Sequence, residues 1–219
     1  MPLFLHQHLE PEGELGLWRI NETEEWFLDR LLLYPGELRQ LSSIKGKKRI
    51  EWLAVRQLVH QMSGREKRGA FVKDEFGKPY LDLADWYISI SHSHNLAAAI
   101  ASPVSIGIDI QFLVGKIERI AHKYMRPEEM QNLGQANRLE QLHIYWGAKE
   151  AIFKAYGRRE LEFKKNIFIQ PFSFDLETGI CYGQIYKDSL IQDYKIHYRQ
   201  VEDYMLVYVL ENNHQRQSI

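Results

Sequence analysis

The sequence predicts an α+β protein built from two similar lobes of roughly 100 residues each, close to the usual size of a domain. Three observations predict it. Helical apolar spacing is followed by strand-like segments twice along the chain, the pattern restarts after the break at Ser102-Pro103, and 219 residues suffice for two small cores. The expected lobes are 1–103 and 104–219. A composition 45% hydrophobic and 12% aromatic is that of a folded chain rather than a disordered one.

In the first lobe, residues 22–33 place Trp26, Phe27 and Leu31 at helical spacing after a cap at Asn21. A longer helix is expected over 45–62, with Ile50, Leu53, Ala54, Gln57, Leu58 and Gln61 along one side and Ser63-Gly64 as its stop. Residues 71–74 and 78–81 read as short strands around the turn Glu75-Phe76-Gly77, and 86–91 and 96–101 as a hairpin connected by His92-Ser93-His94-Asn95. His6-Gln7-His8 reads as an exposed loop. The second lobe opens with a strand at 106–111 and continues with helices at 117–124, 127–135 and 137–157. Strands then follow at 167–175, 180–186, 190–199 and 204–210, with a turn at Gly179.

The formal net charge of −1 argues against a general nucleic-acid binder, which needs a marked basic excess. The basic clusters at 45–49, 65–68 and 158–159 read first as solvated helix ends and turns. The lone Cys181 permits no intrachain disulfide and fits a reducing, cytoplasmic setting. Residues 1–14 lack a cationic start followed by an apolar core, so no secretory leader is expected. No window approaches the roughly 18 apolar residues of a membrane span.

Chemistry concentrates in two segments about forty residues apart, Gly107-Ile108-Asp109-Ile110-Gln111 and Trp146-Gly147-Ala148-Lys149-Glu150-Ala151-Ile152-Phe153-Lys154. On a strand, Gly107, Asp109 and Gln111 share one face, and Ile106, Ile108 and Ile110 share the other. Gly107 allows close approach of another backbone. Alone, Asp109 is better explained by a structural bond to a turn or an Arg, but Asp-x-Gln also aims two oxygens at one point, which suits magnesium. On the helix, Trp146, Glu150 and Lys154 stack on one side, and Lys149 falls in an adjacent apolar stripe with Leu142, Tyr145, Ile152 and Tyr156. A Glu–Lys pair at that spacing is ordinarily a surface ion pair. A Lys inside an apolar stripe must send its ammonium somewhere useful or outwards along its stem.

His92 and His94 leave too few partners for zinc, given the single Cys and no nearby third His. Ser91, His92 and Ser93 can instead donate to an anion, or merely cap a hairpin. There is no Gly-x-Gly-x-x-Gly after the first strand and no Gly-Lys-Ser/Thr loop. Phosphates would therefore be held by side chains, for which Lys48, Arg56, Lys78 and His92 are candidates together with a metal.

Taken in order, Phe76-Gly77-Lys78-Pro79, Ile88-Ser89-Ile90-Ser91-His92-Ser93, Gly107-Ile108-Asp109-Ile110 and Trp146-x-x-Lys149-Glu150-Ala151-x-x-Lys154 resemble the Sfp-type 4′-phosphopantetheinyl transferases of the holo-acyl-carrier-protein synthase superfamily. The resemblance spans 45–157; the C-terminal strands match only in pattern. It implies two α/β lobes related by a pseudo-twofold axis, in a monomer with coenzyme A in the cleft between them. It also implies transfer of phosphopantetheine from coenzyme A to a serine of an apo acyl or peptidyl carrier protein, releasing adenosine 3′,5′-bisphosphate. By position, Asp109 and Glu150 would ligate Mg2+ on the pyrophosphate, with Gln111 as a third ligand where the family often has an acid. Lys48, Arg56, Lys78, Ser91, His92, Lys149 and Lys154 would contact the coenzyme, and Glu150, Lys154 and Asp109 would carry the reaction.

Met125, Arg126, Met130 and Leu133 are candidates for docking the carrier, and equally for packing the second lobe. Fatty-acid, polyketide, peptide-synthetase and lysine-pathway carriers all remain open. The alternative is a non-catalytic coenzyme A or nucleotide-binding module in which Gln111 marks a decayed metal site; a protein–protein adaptor on the same fold is a third reading.

Overall fold

The N-terminal stretch alternates apolar and polar residues and forms a hairpin of β1 (Leu3–Leu9) and β2 (Gly13–Arg19), where the sequence reading expected an exposed loop at His6–His8. On β1, Leu3, Leu5, Gln7 and Leu9 share the covered face, and His6 and His8 lie outward, both against the Glu14 carboxylate at 2.8 and 3.1 Å. In this computed structural model the described residues are 3–82, 84, 86–158 and 160–210, which leaves Arg159 of the third basic cluster outside them. The chain divides into two compact units, 1–103 and 104–219.

After β2 come α1 (Glu24–Leu28), α2 (Pro35–Ser43) and α3 (Lys48–Ser63). The helix expected over 22–33 is therefore only five residues long, and Thr23 rather than Asn21 caps it, its hydroxyl accepting from Trp26 N at 3.3 Å. The sequence reading missed α2, which starts on Pro35 with Glu37 accepting from the Tyr34 N–H. Pro-Gly reads as a turn, yet proline at the first helical position is favourable because that N–H has no helical partner. Gly64, at φ 59, ends α3 where expected.

The first sheet is antiparallel, in the order β1-β2-β6-β5-β4-β3, with β3 (Phe71–Lys73), β4 (Pro79–Leu81), β5 (Tyr87–Ser93) and β6 (Leu96–Ser102). β5 and β6 turn over His94-Asn95 alone, so His92 and Ser93 belong to β5, with His92 opposite Ala97. Leu53, Ala54 and Leu58 of α3 are fully buried over Ala97 and Ala99 of β6, Trp18 and Ile88. The small β6 side chains let helix and sheet approach closely.

The second unit runs β7 (Ile106–Phe112), α4 (Lys116–Tyr124), α5 (Pro127–Gln131), α6 (Arg138–Tyr156), α7 (Phe163–Asn166), β8 (Ile167–Ile169), β9 (Thr178–Lys187), β10 (Leu190–Val201) and β11 (Tyr204–Leu210). Its sheet order is β7-β11-β10-β9-β8, again antiparallel. In both units the first strand of the shared pattern (β2 or β7) pairs with the unit's last strand, and a long helix leads into the remaining strands. Among the described strands, β1 is the one without a counterpart. The expected helix 127–135 stops at Gln131, and the expected strand 167–175 is regular only to Ile169. α6 is covered on most sides: Leu142, Ile144, Ala148, Ala151 and Ile152 are fully buried with Ile167, Ile185, Ile196 and Val207. No helix among the described residues is long and apolar enough to cross a membrane.

Candidate active site

The second unit is organised around the antiparallel run of α6 along β7. At one end the His143 Nε2 accepts from Val114 N at 3.3 Å, and at the other the Ser105 hydroxyl donates to the Ala155 carbonyl at 2.6 Å. Between these ends, glycines replace side chains. A Cβ on Gly107 would sit 1.8 Å from the Ala151 carbonyl oxygen, and one on Gly147 would sit 2.6 Å from Val207 Cγ2 and 3.9 Å from Asp109 Oδ2. The expected close approach at Gly107 is thus real, and it is an approach of backbone to backbone.

This seam places Asp109 against the Gly147–Lys154 face of α6. Asp109 is 2% exposed. Lys154 Nζ donates to its Oδ1 at 2.9 Å and to the Ile108 carbonyl at 2.8 Å, and Gln111 Nε2 donates to its Oδ2 at 3.1 Å. Glu150 is half-buried on the same helix face, one turn after Gly147 and one before Lys154. Burial pushes its carboxyl above the ordinary value; Lys154 lowers it and the Asp109 charge raises it further. Among the described residues Glu150 makes no hydrogen bond or ion pair, so its carboxylate remains available to a ligand.

The donor set suits a hard divalent cation. Two carboxylates and, after a half-turn of its amide, the Gln111 oxygen are the oxygen ligands magnesium takes, with water and substrate phosphate completing its octahedron. A cation here would relieve the mutual repulsion of Asp109 and Glu150 that raises the latter's proton affinity. No group of three or more His, Cys, Asp or Glu residues suited to a metal occurs among the described residues, so such a site needs the amide, water or phosphate.

Lys149 corrects the sequence reading. It was expected to contact the coenzyme, but its ammonium is fully buried and donates to Glu129 Oε2 at 2.8 Å and to the carbonyls of Ile167 and Phe163 at 2.9 and 3.3 Å. Burial lowers its pKa to about 8. Glu129, equally buried, also accepts from Arg126 N at 2.7 Å and Ile169 N at 2.8 Å. The pair ties α5 to α6 and β8 and offers a ligand nothing. The Pro127-Glu128-Glu129 start of α5, with a carboxylate at its third position, was the available signal for Glu129.

Arg56 is corrected for the same reason. It is 4% exposed and lies over the Trp52 ring; Nε donates to Glu37 Oε1 at 3.0 Å, and Arg68 clamps both oxygens of the same carboxylate. A guanidinium so enclosed cannot reach a phosphate. Lys48 is exposed on the first turn of α3. One turn on, Glu51 meets His92 Nδ1 at 3.3 Å, and Ser91 is buried beside it on β5. Glu51 escaped notice, although it is a carboxylate in register with the buried Ala54, Val55 and Leu58. Lys78 does not join this group: its ammonium lies 5.1 Å from the centre of the Tyr87 ring, at the opposite end of β5. Five residues of strand separate Tyr87 from His92, or about 16 Å.

Of the docking candidates, Met125 is 1% exposed, Met130 and Leu133 pack on the core, and Arg126 donates to the Lys164 and Lys165 carbonyls. They serve the packing of the unit.

Residues 105–209 match the family model of the 4′-phosphopantetheinyl transferase superfamily. No curated protein matches the chain. The matched segment runs from the residue before β7 to Val209, one residue short of the end of β11, and includes Asp109, Gln111, Glu150 and Lys154.

Proposed function

We propose that this protein is a transferase of the 4′-phosphopantetheinyl transferase superfamily, whose family model residues 105–209 match, and that it moves 4′-phosphopantetheine from coenzyme A to a serine of an apo carrier protein. The carrier serine Oγ forms a bond to the phosphorus bearing the pantetheine arm, the pyrophosphate P–O bond breaks, and adenosine 3′,5′-bisphosphate leaves. The observation that carries this reading is the buried Asp109 held by Lys154 and Gln111 beside the unpartnered Glu150.

Phosphoryl transfer depends chiefly on positioning and charge neutralisation. Asp109, Glu150 and the Gln111 amide oxygen are the residues that would hold Mg2+, which when bound would neutralise pyrophosphate charge. Glu150 takes the proton of the incoming hydroxyl, directly or through water, from its place on the α6 face beside Asp109. Lys154 spends two of its three donors on Ile108 and Asp109. The third reaches the departing phosphate oxygen. Lys48, Ser91 and His92 are the remaining candidates for an anionic group of the coenzyme.

The test is incubation of the protein with coenzyme A, Mg2+ and a panel of apo carrier proteins, read by intact mass. Mass gain on a carrier serine, abolished by chelation and restored by Mg2+, is the expected outcome and identifies the carrier. Tight coenzyme A binding with every carrier unmodified would instead favour a binding module, a reading that the closure of Asp109 by its own Lys154 and Gln111 also accommodates.

A further inference from the structure

The second unit contains a partly buried guanidinium that the transfer reaction does not use. Arg199 lies near the end of β10, opposite Leu206 of β11, which in turn lies opposite Ile110 of β7. Directly opposed residues share a face, so Arg199 projects from the side of the sheet opposite Tyr198, Val207 and Asp109. Its Nε and Nη2 atoms are both buried and neither has a hydrogen-bond partner among the described residues. These two atoms form one edge of the guanidinium, and their N–H bonds point the same way. That is the fork which matches two oxygens of a carboxylate or phosphate.

We propose that this edge of Arg199 is a binding site for a small oxyanion, a phosphate or carboxylate group, separate from the Asp109–Glu150 site. An arginine keeps its charge when buried, and burying a charge without acceptors is costly, so native proteins seldom leave such an edge unmet. Burial lowers the Arg199 pKa, the direction expected of a cation stripped of water, and the nearby Tyr208 offsets this only in part. The surroundings favour an anion. Lys195 projects from the same face of β10, and His197, stacked on Tyr208 with ring centres 5.0 Å apart, forms an uncharged wall because burial and Lys195 lower its pKa. Asp193, also on that face, is already held by Gln184.

The probe is inorganic phosphate, with acetate as the carboxylate arm, added to the full-length protein while the Arg199 Nε–H resonance is followed by NMR. Assignment comes from its loss in Arg199→Lys. Phosphate is expected to shift the resonance downfield and slow its exchange with water, and acetate does the same if carboxylates are accepted. Arg199→Lys keeps the charge but loses the fork, so phosphate binding at this site falls about tenfold or more. Arg199→Met should melt higher than wild type in phosphate-free buffer, and it should lose the part of the phosphate stabilisation that exceeds matched chloride. A resonance already protected without added anion would overturn the proposal, as would an equal phosphate response in wild type and Arg199→Met. Transfer activity enters none of these readouts, so failure here leaves the transferase reading standing, and the reverse.

Discussion

Glu150 and Lys154 lie one turn apart on α6 and differ in how they are held. Lys154 is fixed by two acceptors, whereas Glu150 is positioned only by its helix and carries the energetic cost of half-burial beside Asp109. Two consequences follow for Glu150→Gln. Transfer to the carrier should fall about 10²- to 10⁴-fold, the usual worth of a positioned base, with coenzyme A affinity changed far less; a loss of only a few-fold in single-turnover rate would count against the base assignment. In chelator, the same variant should melt higher than wild type at neutral pH. A carboxyl whose folded pKa is raised favours the folded state below its unfolded value of 4.5 and loses that advantage as pH rises through the folded value. The gain from Glu150→Gln should therefore shrink as pH is lowered towards 4.5, as melting curves taken across that range would show. Gln111→Glu exchanges a donor to Asp109 for a third carboxylate. Without metal it should melt lower than wild type, and calorimetry should find Mg2+ bound about tenfold more tightly, in line with the dependence of such sites on ligand charge. Unchanged or weaker Mg2+ binding would refute the ligand role of position 111.

The pairing of β7 with α6 carries the site, and its tolerance is set by atoms that cannot move aside. Gly16 on β2 is also covered by a helix, but the neighbours are the flexible ends of Met62 and Leu58, whereas Gly107 meets the Ala151 carbonyl itself. Gly107→Ala should cost about 3 kcal/mol or more in urea unfolding and abolish transfer by forcing strand and helix apart. Lys149→Met leaves Glu129 buried without its counter-charge and should cost about 3–5 kcal/mol. Pairing it with Glu129→Gln should recover a large part of that loss, while the coenzyme A affinity of folded protein stays unchanged; weakened coenzyme binding would restore Lys149 to the site. Much of this layout was legible in the sequence, because charges set in apolar segments single out β7 and α6 and because Gly107 interrupts a run of isoleucines. Long-range partners were not. The stripe containing Lys149 gives no hint that Glu129, twenty residues earlier, takes its ammonium, and Arg56 likewise meets Glu37 from another helix. The β1–β2 hairpin escaped because the outward side of β1 carries His6 and His8, which read as loop residues when the alternation of Leu3, Leu5 and Leu9 is overlooked.

At the scale of the molecule, each unit has its own apolar core, and the carboxyls Glu37 in the first and Glu150 in the second respond oppositely to acid. The succession of helices and then strands was readable because the apolar period changes twice in the same sense, although each unit opens on a strand; the extra strand β1 and the buried charges were not, since nothing local distinguishes a paired carboxylate from a solvated one. In the first unit, burial alone would raise the Glu37 pKa, but the bonds and charges of Arg68 and Arg56 outweigh it, and the net shift is downward. A lowered carboxyl stabilises the folded state above its unfolded value of 4.5, and that contribution is lost as pH falls through the folded value. Protonation also leaves two buried guanidinium groups without their counter-charge. Glu150 in the second unit behaves in the opposite way, since its proton is gained more readily in the folded state. Acid should therefore loosen the first unit before the second. Trp18, Trp26, Trp52 and Trp86 all lie in the first unit and Trp146 alone in the second, so Trp146→Phe restricts tryptophan emission to the first. In that variant the fluorescence transition on acidification below pH 4.5 should come at higher pH than the loss of far-ultraviolet circular dichroism. Glu37→Gln removes the titrating carboxyl, so it should weaken the first unit at every pH and flatten the dependence of its stability on acid. Coincident transitions in the Trp146→Phe protein would mean that the two cores unfold as one cooperative body, and that the Glu37 network does not set the acid limit.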